Sequence, residues 1–240
     1  MVGYIFGGDD TYMTLHATSG TEYKIAGRST DENAIISWGD GVVEALGTSF
    51  FTLTHQYDSD GDYTIYIKAA DSKVTLNQTT NLARYLKGTL YIGGGLSDAT
   101  LLVEQNPLRI VQGAGVSELI FSDLYLGRVD ISGGFTTSQS PLERLVISAN
   151  VSSIETRNEF NLLKTTILKS LTVPTFTDIE QFVGNALFAD TSGMFPPKLD
   201  SYIYVPQPSL SDYKAAFKEA YEFWDIYNTR SIDEVILPIS

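Results

Sequence analysis

The sequence predicts a mainly β protein made of two modules, and two patterns lead to this prediction. Between residues 1 and 72, apolar and polar residues alternate in short runs that are separated by turn residues. A period of two is typical of strands with one buried face, so this part is predicted to be a small antiparallel β-sandwich. From about residue 88, leucine-containing phrases recur at a spacing of 26 residues, which favours a solenoid of stacked repeats.

The first module is predicted from its strand-like runs and from the turns between them. The runs lie at residues 12–16, 22–25, 34–38, 50–54 and 63–67. Gly20 and Gly41 stand where hairpin turns are needed, because glycine tolerates the positive φ of such turns.

Aromatic, glycine and aspartate residues recur in the second half of this module. They form three motifs, Trp38-Gly39-Asp40-Gly41, His55-Gln56-Tyr57 and Gly61-Asp62-Tyr63. Over residues 10–70 the motifs resemble the polycystic-kidney-disease (PKD) type of immunoglobulin-like domain, whose pattern reads W-x-F-G-D-G, H-x-Y and G-x-Y-x-V-x-L. Two residues of that pattern are missing between Trp38 and Gly39. The resemblance implies a sandwich that serves as a spacer or binding module and not as a catalyst.

Four residues of these motifs are predicted to be structural anchors. Trp38 is expected in the core with its indole N–H bonded inside the protein, and an exposed ligand platform is the alternative. Asp40 is expected to fix its turn by accepting hydrogen bonds from backbone amides. Tyr57 and Tyr63 complete the set of anchors, and His55 is expected to bond across strands rather than to catalyse a reaction.

The second module, residues 73–240, is predicted from three matching phrases. Each phrase has the form h-x-x-L-x-h, where h is an apolar residue, and the central leucines are Leu119, Leu145 and Leu171. Leu145 and Leu171 are therefore predicted to be buried anchors of neighbouring strands. A single repeat cannot bury its own apolar face, so the stacked repeats are expected to share one core.

These phrases resemble the irregular leucine-rich repeats of BspA-like bacterial surface proteins. The family repeat reads L-x-x-I-x-I-P-x-x-V-x-x-I-x-x-x-A-F, and its A-F step is matched by Phe160 and by Leu187-Phe188. The match is good over residues 140–206 and loose over residues 88–140, and the cysteine that is frequent in the family is absent. The resemblance implies a solenoid that serves as a display module.

A helical cap over about residues 206–240 is predicted to cover the end of the array. From Ser209 to about Tyr227, apolar residues recur at spacings of three and four, and Ser209 and Asp212 have the spacing of a capping box. The last repeat has an open edge that must be covered. Trp224 is therefore predicted to pack against the core, and an aromatic ligand shelf is the alternative. A short closing strand is expected near residues 232–236.

The charge and the cysteine content exclude several classes of partner and site. The chain of 240 residues has 16 basic and 29 acidic residues, a net charge of −13. Phosphate groups require a basic face, so neither a nucleic acid nor an anionic membrane surface is expected as a partner. The absence of cysteine and the presence of only two histidines exclude disulfides, thiolate metal sites and multi-histidine metal sites.

One acidic run, residues 58–62, is a weak calcium candidate. Asp58, Asp60 and Asp62 could supply the several oxygens that a hard cation prefers from one short loop. The run lacks the glycine position and the bidentate Glu of an EF-hand, so an acidic hairpin turn is the favoured interpretation.

The sequence has no motif of an enzyme. It contains no pair of acidic residues in a glycosidase-like pattern, no G-x-S-x-G motif of a serine hydrolase and no phosphate-binding loop, so no enzyme, catalytic residue or cofactor is predicted.

The function predicted from these modules is structural. Residues 1–10 have no basic region, and glycine and aspartate interrupt their apolar run, so no secretory leader is expected. No run approaches the ~20 apolar residues of a membrane span, so membrane insertion is not expected.

We expect a bacteriophage virion component, a capsid decoration or fibre-associated protein that docks on other virion proteins and forms a homo-oligomer. The alternative is a secreted or cell-surface bacterial protein that has lost its leader and binds a host protein or a glycan.

Overall fold

The computed structural model describes eight stretches of the chain. They are residues 7–77, 80–98, 115–126, 129–130, 142–155, 163–188, 200–224 and 230–239. The described part is mainly β, as the sequence predicts, and a helix lies near the C-terminus. Phe160 and Tyr227, which the sequence analysis singled out, lie outside the described residues.

Ten strands form one mixed sheet. In spatial order they are β17 (Ile236–Pro238), β16 (Tyr202–Val205), β14 (Thr165–Leu168), β12 (Arg144–Ile147), β10 (Gly115–Phe121), β8 (Leu86–Ile92), β1 (Thr11–Ala17), β6 (Gly61–Lys68), β3 (Ile35–Ser37) and β4 (Val43–Ala45). From β17 to β8 every neighbouring pair is parallel. From β8 to β4 every neighbouring pair is antiparallel. The sheet thus changes from parallel to antiparallel at β8.

Two smaller sheets accompany the large one. The antiparallel strands β5 (Phe50–Gln56), β2 (Glu22–Ser29) and β7 (Val74–Leu76) are followed in space by β9 (Leu96–Asp98), which is parallel to β7. Further along the chain, β11 (Val129–Asp130), β13 (Ser153–Glu155) and β15 (Thr175–Phe176) form a short parallel sheet. Short 3₁₀ helices lie at Leu82–Tyr85 and Gln207–Ser209.

The two sequence modules share both of the larger sheets. Strand β1, from the first module, pairs with β6 on one side and with β8 on the other. Strands β7 and β9 lie beyond residue 72, yet they extend the sheet that contains β2 and β5. The predicted boundary between residues 72 and 73 therefore lies between strands that are hydrogen-bonded into common sheets.

The core side of the ten-stranded sheet carries an inner row of residues in register. Each strand from β6 to β17 contributes one fully buried side chain to this inner row, in the order Ile65, Met13, Leu90, Leu119, Leu145, Thr166, Ile203 and Ile236. Successive side chains of a strand point to opposite faces, so this register places every second residue of each strand in the core. The predicted alignment of Leu119 with Leu145 is confirmed.

The predicted role of Leu171 as a buried anchor is wrong. Leu171 follows the end of β14 and is 65% exposed. The residue that pairs with Leu145 is Thr166, and Leu168 pairs with Ile147. Strand β14 thus begins earlier in the chain than the 26-residue spacing predicts, because the connection from β12 to β14 is shorter than the connection from β10 to β12.

Thr166 is the one polar residue of the inner row, and its hydroxyl has no hydrogen-bond partner. An unsatisfied buried hydroxyl costs free energy, whereas valine has nearly the same shape without that group. We expect Thr166→Val to raise the free energy of unfolding by about 1 kcal/mol, measured by chemical denaturation. Thr165→Val, at the half-buried neighbouring position, is the control and is expected to change stability little. A loss of stability in Thr166→Val would contradict this account.

Three helices complete the described chain, namely α1 (Ile179–Leu187), α2 (Leu210–Trp224) and α3 (Ile232–Val235). Helix α2 buries Tyr213, Phe217, Ala220 and Tyr221, which lie on one face of the helix. The capping box predicted at Ser209 is not formed there, since the Ser209 hydroxyl donates to the carbonyl oxygen of Leu171. A capping box is present instead at the start of α3. The predicted closing strand is displaced, since Ile232 and Val235 belong to α3 and strand β17 begins only at Ile236.

Trp224, at the end of α2, packs against α1. Its indole Nε1 donates to the carbonyl oxygen of Glu180 at 2.7 Å, and its ring stacks on Phe188 with the ring centroids 6.4 Å apart. Gly184 faces the same indole so closely that a Cβ there would lie 2.6 Å from the ring. Trp224 therefore joins the two helices.

Candidate binding surface

The side of the ten-stranded sheet that faces away from the core carries a second row in register, here called the outer row. From β6 to β17 it contains Tyr66, Tyr12, Tyr91, Ile120, Val146, Ile167, Tyr204 and Leu237. All of these side chains are half-buried except Val146, which is 3% exposed. Eight neighbouring strands thus present a continuous line of aromatic and aliphatic groups.

The tyrosines of the outer row contact one another side by side. The rings of Tyr12 and Tyr91 are stacked with centroids 4.9 Å apart and planes 6° apart. This separation matches the distance of about 4.8 Å between neighbouring strands, so each ring stands upright on its strand. Tyr66 lies on the other side of Tyr12, with the centroids 6.1 Å apart. The row therefore presents ring edges and hydroxyls outward, because neighbouring rings cover one another's faces.

The Tyr12 hydroxyl is held in its neutral form. Burial raises its pKa, and the nearby Glu118 carboxylate, Tyr91 and Tyr66 raise the pKa further. A neutral phenol both donates and accepts a hydrogen bond. The tyrosine end of the outer row therefore offers a hydrogen-bond donor and an acceptor without a charge.

Charged residues next to the outer row are paired with one another. Arg144 on β12 donates to Glu118 on β10, and Thr89 on β8 donates to the same carboxylate at 2.9 Å. These strands are neighbours, so the contacts run across the sheet parallel to the outer row. At the C-terminal end, the guanidinium of Arg230 lies 4.7 Å from the centre of the Tyr202 ring. This side of the sheet is consequently not strongly acidic, although the chain as a whole is.

A second group of paired charges lies on β1, β6 and β8. Asp62 accepts from His16 Nδ1 at 2.7 Å and from Lys87 Nζ at 2.6 Å. The hydrogen bond from Lys87, followed by that from His16, lowers the pKa of Asp62 below its ordinary value. The carboxylate therefore stays charged to lower pH than an isolated aspartate would.

The predicted anchors of the first module lie together below the turn that follows β3. Trp38 is fully buried, and its indole Nε1 donates to Glu44 at 2.6 Å. The Asp40 carboxylate accepts from the backbone N–H of Val42 at 3.0 Å, which closes the turn. The other Asp40 oxygen lies 2.7 Å from His55 Nε2.

Aromatic rings extend this cluster of anchors. The ring of His55 stacks on Trp38, with the centroids 4.9 Å apart. Tyr57 is 2% exposed and donates its hydroxyl to the carbonyl oxygen of Trp38 at 2.7 Å. Half-buried Tyr63 stacks on Tyr57, with the centroids 4.0 Å apart. Each polar atom described here has a partner inside the protein, so the cluster is a structural one.

The calcium candidate has two carboxylates that bind other groups of the protein, while Asp58 is bound through its backbone. Asp60 accepts from the backbone N–H of Ser19, and Asp62 is engaged by Lys87 and His16. The Ser19 hydroxyl donates to the carbonyl oxygen of Asp58. Among the described residues, no three acidic or histidine side chains are arranged to hold a metal ion. The acidic run thus serves as a turn that is tied to the β1–β2 hairpin.

A shallow groove lies where the chain leaves β12 and β14. It is lined by residues 149–152 and by Ser170, Thr172, Val173, Pro174 and Thr175. None of these residues has a titratable side chain, so the groove has no group for acid–base chemistry.

The comparisons with known proteins give no identification. No family model, no curated protein and no solved structure matches this chain. Within the part of the chain that the structure describes, no helix is long and apolar enough to cross a membrane. The conclusions about function therefore depend on the surface itself.

The sequence analysis did not predict the outer row. Two of its members occupy x positions of the leucine phrases, since Ile120 follows Leu119 and Val146 follows Leu145. A search for buried leucines passes over these positions. An apolar residue directly after the central leucine of a phrase is the signal in the sequence that could have indicated a second apolar face.

Proposed function

We propose that the protein is a non-enzymatic binding protein built from a PKD-type immunoglobulin-like sandwich and an irregular leucine-rich solenoid. The inner faces of the four-stranded sheet and of β1, β6 and β3 contribute side chains to one core, as expected for a sandwich. The parallel strands from β8 to β17 share one buried row, as expected for stacked repeats.

The proposed binding surface is the outer row, and its occupant is the surface of another protein. A line of half-buried apolar groups across eight strands supports this proposal, since such groups gain free energy when a partner covers them. The paired charges beside the row can remain paired in a complex. A glycan is a poorer fit, because sugar rings pack on exposed aromatic faces, and the facing sides of Tyr12 and Tyr91 cover one another.

For the biological setting we propose the exterior of a bacteriophage particle, where the protein would act as a capsid decoration or fibre-associated protein. This proposal continues the expectation from the two display-type modules. Quantitative mass spectrometry of purified particles and of host envelopes tests it, and enrichment in the particles is the expected result. Enrichment in the envelope would instead favour the cell-surface alternative.

The outer row is tested by placing a charge in its centre. Ile120→Glu is expected to reduce binding of the protein to its particle at least about tenfold, because a carboxylate would be buried against apolar groups. Ser211→Glu adds the same charge on the exposed side of α2 and is expected to leave binding unchanged. Both variants are added to particles that lack the protein, and the bound fraction is measured by co-sedimentation. Unchanged binding of a folded Ile120→Glu protein would rule out the outer row.

A further inference from the structure

Strand β5 forms a long edge of the four-stranded sheet. It pairs with β2 over its whole length, from Phe50 opposite Arg28 to Gln56 opposite Glu22, without a bulge. Among the residues that the structure describes, no strand pairs with the other side of β5. Seven residues therefore direct part of their backbone hydrogen-bonding groups away from the sheet.

This edge lacks the features that usually keep sheet edges from pairing. Natural edges carry lysine, proline, bulges or inward charges, or are very short. Strand β5 reads Phe-Phe-Thr-Leu-Thr-His-Gln and contains no lysine, proline or acidic residue, in a chain of which 19% is charged. The other described edges of the two larger sheets contrast with it, since β17, β4 and β9 have three residues each and contain Pro238, Glu44 and Asp98 respectively.

The outward side chains of β5 are also suited to a contact. Phe50 is 79% exposed, more than any other large apolar residue of the described chain. Thr52, Thr54 and Gln56 follow it on the same face and are exposed. The guanidinium of Arg28 lies 5.8 Å from the centre of the Phe50 ring and covers only part of it.

We propose that β5 is a homodimer interface at which two copies pair edge to edge, antiparallel, across a two-fold axis. The register that uses all seven residues places Leu53 on the axis. Thr52 then faces Thr54 of the second copy, a threonine pair of the kind that stabilises antiparallel sheets. Phe50 faces Gln56 of the second copy. The two four-stranded sheets become one continuous eight-stranded sheet.

The charge of the chain favours a second copy of this strand over a basic partner. A net charge of −13 would attract a basic protein, yet β5 offers such a protein no carboxylate. Self-pairing brings no like charges together within the strand, and a two-fold contact uses the same patch on both copies. The long-range repulsion between the copies is screened by salt, so the dimer is expected to strengthen as ionic strength rises.

The oligomeric state of the full chain, followed by sedimentation velocity over a range of concentrations, tests the proposal. We expect a concentration-dependent shift from 26.4 kDa towards twice that mass. Thr52→Lys with Thr54→Lys brings four lysines together across the axis and is expected to abolish the shift. Thr52→Val with Thr54→Val keeps the edge neutral and is expected to preserve it. A monomer at every concentration, or a dimer that the lysine variant still forms, would overturn the proposal.

The register is tested by disulfide formation, because the natural chain has no cysteine. Thr52→Cys in one copy lies opposite Thr54→Cys in the other, whereas two copies of the same variant place their thiols diagonally. A mixture of the two proteins is therefore expected to cross-link, and either protein alone much less. Equal cross-linking in all three samples would contradict the pairing. Ile120→Glu is expected to leave the dimer intact, which separates this interface from the outer row.

Discussion

Replacing Trp38 with Ala is expected to lower the free energy of unfolding by about 4 kcal/mol. Trp38 heads the largest fully buried side chains of the described chain, so its removal leaves a cavity that neighbouring groups cannot refill without moving. The change also removes the stacking partner of His55 and the donor that binds Glu44. Chemical denaturation followed by circular dichroism measures the loss.

Trp38→Phe is the matched control for this prediction. Phenylalanine keeps an aromatic ring between the sheets and loses the indole N–H, so the destabilisation should be clearly smaller than that of the alanine variant. The Tyr57 hydroxyl binds the backbone oxygen of Trp38, and this contact survives both changes. Equal stability of Trp38→Ala and the natural protein would mean that Trp38 is not a core anchor.

The buried positions of Trp38 and Tyr57 could be predicted from the sequence, because large aromatic side chains are few and tend to fill the core of a small β-sandwich. Trp38 directly precedes Gly39 and Tyr57 lies shortly before Gly61, and the size of both side chains leaves few places for them other than the interior. The same reasoning located α2, whose apolar residues recur at helical spacing. These predictions depended on patterns of residues close together in the chain. The structure has the buried aromatic residues and the helix where those patterns predicted them.

The stacking of the parallel strands was harder to predict, because the spacing between them in the sequence is set by connections outside the shared sheet. Leu119 pairs with Leu145 at a distance of 26 residues, but Leu145 pairs with Thr166 at a distance of only 21. Loops of different lengths cost little extra free energy to close, so stacking tolerates this variation. The inner-row residue of β14 is polar, so no buried leucine marks this strand in the sequence. The leucine phrase was fitted to Leu171 instead, which lies after the end of β14.

The sequence analysis also missed helix α1, although its pattern is present. Asp178 caps the helix by accepting from the backbone N–H of Gln181 at 2.8 Å. Phe182, Val183 and Ala186 then recur at spacings of one and three on the buried face. Leu187-Phe188 was assigned to the A-F step of a repeat, and the N-cap signal at Asp178 was not used.

Gly27→Ala is expected to lower the free energy of unfolding by about 3 kcal/mol. Gly27 lies in the middle of β2, between β5 and β7, and a Cβ there would overlap the backbone oxygen of Thr75. The same atom would lie 3.0 Å from the Cα of Leu76 and from the ring of Phe51. Backbone cannot rotate away as a side chain can, so β7 must separate from β2.

Gly61→Ala is the control for this substitution, because it makes the same chemical change at another strand position. A Cβ at Gly61 would meet only the ring of Tyr63, at 3.6 Å and beyond, which is ordinary contact. Its effect on stability is expected to be small, since the lower backbone entropy of alanine in the unfolded chain offsets any strain. If both variants unfold at the same denaturant concentration as the natural protein, β7 does not pack against β2 as closely as described. A large loss in Gly27→Ala alone would instead show that the second module is anchored to the first through this contact.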